Sequence, residues 1–126
     1  MLYLDSSAFA KRYIREAGQS RLEERLLAEP ELYSSAICYA EVHAAFARKL
    51  REGGWTRVEF LQARNKFEID WLAVREIAVD SDTLAPVVQL VERVPLRGMD
   101  AIHLAAAVWL ERKTGRTRPD RKGIRP

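Results

Sequence analysis

Short β-type runs alternate with longer stretches of helical spacing along this chain, and that alternation limits the fold more than any single motif. Residues 2–4 (LYL), 32–37 (LYSSAI) and 76–79 (EIAV) read as strands. Ala8, Ala10 and Tyr13 carry helical spacing from Ser6 towards Gly18, and Leu22, Leu26 and Leu27 continue it after Ser20 until Pro30. Residues 39–50 place Ala40, Ala44 and Ala47 on one helical face, ended by Gly53 and Gly54. Thr56 caps a further helix to about residue 72. Ser81 or Asp82 caps another through Leu84, Val87, Val88 and Val91, stopped by Pro95, and a last helix spans 98–112. Parallel strands need long crossovers, so strands separated by helices predict an α/β fold with a short central parallel sheet flanked by helices in three layers.

The size permits one compact domain: 126 residues, 48% of them apolar. Cys38 is the only cysteine, so no internal disulfide can form, which points to a reducing, cytoplasmic setting. The first residues have neither a basic segment nor a long apolar run, and a secretory leader is not expected. The apolar run at 104–110 is far shorter than the roughly 20 residues of a membrane span. Charge is unevenly placed. Residues 1–110 hold 14 basic and 16 acidic side chains, whereas 111–126 hold 7 basic and 2 acidic. The chain therefore divides into a patterned domain over 1–112 and a basic tail over 113–126 with no strand pattern. The tail reads as a solvated end more readily than as a nucleic-acid arm.

Three acids stand where the elements change. Asp5 follows the first strand, and ligands in open parallel sheets bind beyond the carboxyl ends of strands. Glu41 lies early in a helix amid "SSAICYAEVHAAF", and Asp100 opens the alanine-rich "RGMDAIHLAAA". Each has a plain structural role available. Asp5 suits a helix N-cap, and an acid in a first turn is favoured by the helix dipole. Taken together, three carboxylates among small and apolar neighbours need a counterion. Oxygen-only donors favour a hard cation, Mg²⁺ or Mn²⁺, and water held by such a cation suits phosphodiester cleavage.

The blocks "MLYLDSSAFAKRYI", "YSSAICYAEVHAAFARKL" and "VPLRGMDAIHLAAAVWL" resemble, in order and spacing, the three motif blocks of PIN-domain ribonucleases, above all the toxin subunits of VapBC-type toxin–antitoxin modules. The resemblance implies a PIN-like fold, metal-dependent RNA cleavage, a homodimer, and an antitoxin that masks the site. It makes Asp5, Glu41 and Asp100 the acidic metal-site residues, with Ser6 or Ser7 positioning a metal water or a backbone turn. Members usually add a last strand that brings a fourth acid beside the first. Here that strand has no pattern, and Asp120, preceded by Pro119, is a secondary candidate at about the right distance.

Two other readings compete. One is a PIN-fold module that binds RNA or antitoxin but is catalytically weak for want of a fourth acid. The other is a receiver-like phospho-acceptor domain with Asp80 as acceptor, which lacks a partner because no lysine occurs between Lys66 and Lys113. His103 reads as a histidine tucked into packing, and His43 as pointing away from Glu41. No H-E-x-x-H, G-x-S-x-G or glycine-rich phosphate loop occurs. The aromatics at Trp55, Phe60, Phe67 and Trp71 fit core or dimer packing better than base stacking, and residues 56–72 are the expected dimer surface.

Overall fold

The computed structural model of the chain describes residues 1–14 and 31–115. Its described strands are β1 (Leu2–Tyr3), β2 (Leu32–Ser35) and β3 (Val74–Ile77), all parallel, in the order β1-β2-β3. The described helices are α1 (Ser6–Ala10), α2 (Ala36–Arg51), α3 (Arg57–Trp71), α4 (Ser81–Leu84), α5 (Val87–Arg93) and α6 (Gly98–Thr114). This is the expected α/β architecture with a short parallel sheet.

Side chains of an extended segment alternate between faces, and here the alternation builds the layers. Leu2 and Leu4 pack with Phe9 of α1, Cys38, Val42 and Phe46 of α2, and Phe67 of α3. Tyr3, between them, packs the other way with Ile77, Ala106 and Leu110 of α6. Ala101, Ala105 and Ala106 are buried, so α6 presents small side chains where it closes on the sheet. Helices α4 and α5 pack against α6. In the larger cluster, Phe67 is fully buried and meets Phe9 edge-on at 5.3 Å between ring centroids, with Phe46 at 5.9 Å. Trp55, Phe60 and Trp71 pack against the same cluster. The aromatics of 56–72 are therefore mainly core. The apolar side chains left exposed on α3 are Val58 and Ile69, with Leu72 just beyond its end.

Several boundaries differ from the sequence reading. β2 stops at Ser35, whose hydroxyl accepts from the Ile37 N–H and caps α2, so residues 36 and 37 are helical. β3 begins two residues earlier than its apolar pattern, because pairing with β2 sets its span from Leu32↔Val74 to Ser35↔Ile77. The single helix expected across 82–94 is two helices. Asp80, not Ser81 or Asp82, caps the first through a box with Thr83, and the chain breaks at Ala85 and Pro86, where a proline cannot continue the preceding turns. Helix α6 runs to Thr114 and ends on Gly115, whose φ of 70° is a conformation glycine adopts without penalty. The helix expected after Ser20, the tail and Asp120 lie outside the described residues.

Candidate active site

The site begins where β1 ends. Asp5 is extended (φ −81°, ψ 176°), and its Oδ1 accepts the Ala8 N–H at 2.9 Å as the N-cap of α1. Capping engages one carboxylate oxygen; Oδ2 has no hydrogen bond among the described residues. Ser34 holds this end of the sheet together, its hydroxyl donating to the Leu4 carbonyl at 2.6 Å. Ser7 is exposed two residues beyond Asp5.

Glu41 sits in the second turn of α2, because the helix starts at Ala36, earlier than its pattern shows. The dipole argument for an acid in a first turn therefore fails for Glu41 and holds for Asp100, which is in the first turn of α6. Glu41 is instead held by a side chain. Its Oε1 lies 2.7 Å from Nε2 of His103. The other ring nitrogen, Nδ1, lies 2.7 Å from the Tyr3 hydroxyl. The histidine side chain is 7% exposed and the glutamate side chain 23%.

His103 thus joins β1, α2 and α6. It is packed, as the sequence reading had it, and it also holds one of the acids, Glu41. Asp100 lies one turn before it on α6, and residues three apart are neighbours on a helix surface. Asp100 is exposed, with no hydrogen bond or ion pair among the described residues. Tyr3 is two residues before Asp5. Burial pushes its hydroxyl well above the ordinary tyrosine range; Cys38, Asp5 and Glu41 add to that, and a backbone hydrogen bond with Ser35 opposes it.

Oxygen donors from three carboxylates suit a hard divalent cation. As the side chains stand, no three His, Cys, Asp or Glu groups among the described residues are close enough to hold an ion directly. Mg²⁺ keeps several waters and uses one or two direct carboxylates, so a direct three-acid cage is not what such an ion needs. The donor chemistry fits such an ion.

Other candidates have separate tasks. Asp80 accepts the Thr83 N–H at 3.0 Å as a cap, which accounts for the acid without a phospho-acceptor role. His43 pairs with Glu68 at 2.6 Å, on the same oxygen that takes the Tyr39 hydroxyl, also at 2.6 Å. Arg12 contacts Asp70 at 3.3 Å. The sequence reading passed over Tyr3 and undervalued His103. Their positions, two before Asp5 and three after Asp100, were the available signal.

Residues 2–114 match the family described as the PIN domain. Two curated proteins of Mycobacterium tuberculosis are similar over most of the chain: ribonuclease VapC45 (strain CDC 1551 / Oshkosh) and ribonuclease VapC49 (strain ATCC 25618 / H37Rv). Each is 32% identical over 108 residues, covering 86% of this chain and 75% of its own length. The fold is similar to the crystal structure of Mycobacterium tuberculosis VapC20, described as a sarcin–ricin loop cleaving toxin. There the TM-score is 0.61 at 16% identity, over 91% of this chain and 84% of that one.

Proposed function

The chain belongs to the PIN-domain family and is VapC-like, and from that premise we propose that it is a divalent-metal-dependent endoribonuclease, the toxin of a toxin–antitoxin pair. The observation that carries the reading is the Glu41–His103 contact, which brings a half-buried carboxylate of α2 to α6 one turn from Asp100, with His103 also meeting Tyr3 of β1, two residues before Asp5. Asp5, Glu41 and Asp100 hold the cation, Mg²⁺ or Mn²⁺, directly or through water. When bound, that cation neutralises charge on the scissile phosphate and makes a water more acidic. The chain's own part is to bring three acids to one end of the sheet. Ser7 and Asp120 remain secondary candidates.

The named relatives are ribonucleases, and the structural neighbour is described as a toxin that cleaves the sarcin–ricin loop. RNA is accordingly the proposed substrate, and a cognate antitoxin that covers the acids the proposed partner. A homodimer is proposed through the exposed Val58, Ile69 and Leu72, where large apolar side chains face outward. Among the described residues no helix is long and apolar enough to cross a membrane. The buried, unpaired Cys38 fits the proposed cytoplasmic setting.

The test is cleavage of a mixed RNA pool with Mg²⁺ or Mn²⁺ by the parent and by Asp5→Asn, Glu41→Gln and Asp100→Asn. The reading expects cleavage by the parent and near-complete loss in each variant. A parent as inactive as its variants over a wide metal range leaves a binding module and removes the enzyme.

A further inference from the structure

We infer that His103 is a positioning residue: Tyr3 fixes its tautomer so that Nε2–H donates to Glu41 Oε1, leaving Oε2 as the oxygen presented to the cation. The inference rests on the proposed metal site and deepens it.

The direction of each hydrogen bond follows from what the groups can donate. A hydroxyl carries one hydrogen and can also accept. Nδ1 of His103 faces the Tyr3 hydroxyl at 2.7 Å, and that hydroxyl can donate to it. A neutral imidazole that accepts at Nδ1 must carry its proton at Nε2. Nε2 faces Glu41 Oε1 at 2.7 Å, and a carboxylate there can only accept. The chain of donors therefore runs from Tyr3 through His103 to Glu41.

The consequence is geometric. Glu41 has a rotatable side chain in the second turn of a helix and is 23% exposed. With Oε1 held by a 7%-exposed ring, the carboxylate cannot turn freely. Its Oε2 has no hydrogen-bond partner among the described residues. Groups that orient metal ligands in this way typically alter metal affinity or activity by about 10–100-fold when removed.

The experiment uses the full chain. Two-bond ¹H–¹⁵N correlation spectra distinguish the tautomers of His103, and His43→Gln, which alters the only other histidine, assigns the signals. The expected result is the Nε2–H tautomer in the parent and an increased share of Nδ1–H in Tyr3→Phe. Mn²⁺ titration of the parent, His103→Leu and His103→Gln gives the second readout, with circular dichroism confirming that each variant is folded. His103→Leu is expected to weaken Mn²⁺ binding about 10–100-fold. Glutamine keeps an N–H donor near the Nε2 position, so His103→Gln is expected to recover most of that loss. An Nδ1–H or doubly protonated ring in the parent overturns the inference. So does Mn²⁺ binding by the parent that is unchanged in both histidine variants, an outcome that leaves the proposed function standing. A parent that binds no Mn²⁺ overturns both. If His103→Leu does not fold, the tautomers of the parent and Tyr3→Phe decide alone.

Discussion

Asp5 serves the fold and the proposed chemistry with different oxygens, and substitutions can separate the two. Asparagine is as good an N-cap as aspartate, whereas alanine removes the acceptor of the Ala8 N–H and costs about 1 kcal/mol. Asp5→Asn is therefore expected to melt at or above the parent temperature in chelator, since it also removes one of several neighbouring negative charges. Asp5→Ala is expected to melt a few degrees lower. Thermal melts of the two variants in EDTA check this, and equal melting of both would show that the cap contributes nothing. Cys38 gives a second expectation. Burial pushes its thiol up to about 12 from an ordinary 9.0; a hydrogen bond with Ser34 opposes this, and Glu41 and Asp5 add to it. The unfolded thiol ionises first as pH rises, so this contribution is complete below pH 9.0 and is lost towards about 12. Melting temperature should fall from about pH 9.0 upward, and fall less steeply in Cys38→Ala; parallel curves would contradict it. Asp5, Glu41 and Asp100 could be singled out as candidates because acids next to small and apolar residues are unusual. The work of His103 was not, because its partners lie 100 and 62 positions away in the chain.

At the scale of elements, local chemistry was readable where it was self-contained. Thr56 and Glu59 form a reciprocal capping box, with contacts of 3.1 and 2.8 Å, at the place the sequence indicates. Thr56→Ala is expected to cost about 1 kcal/mol in urea unfolding without affecting cleavage. A variant as stable as the parent would show that tertiary contacts, not the box, hold the start of α3. Phe67 is the larger lever. It is fully buried among Phe9, Tyr13, Phe46 and Trp71, and Phe67→Ala is expected to cost about 3–5 kcal/mol. What the sequence did not give was set by pairing or by competition. The two serines before Ala36 suit a strand and a cap alike, and only the capping bond of Ser35 decides between them. β3 takes its span from β2 although Arg75 and Glu76 are exposed and polar. The break at Pro86 was visible in principle; the valines after it carried the helical pattern across.

At the scale of the whole molecule, the strand–helix alternation that limits the fold also locates the site. Each parallel strand returns to the same end of the sheet, so Asp5 follows β1 there, and Glu41 of α2 meets His103 of α6. The outward-facing Val58, Ile69 and Leu72 lead to a separate expectation. Sedimentation at micromolar concentration should show a dimer, and Ile69→Glu should shift it towards monomer; a monomeric parent would remove the proposed interface. The central claim is that Asp5, Glu41 and Asp100 share one cation, and locating the ion tests it most directly. Crystals soaked in Mn²⁺ and measured at the manganese absorption edge should show an anomalous peak bounded by all three carboxylates, each reaching the ion directly or through one water. A peak elsewhere, or one reached by a single member of the three, would contradict the account.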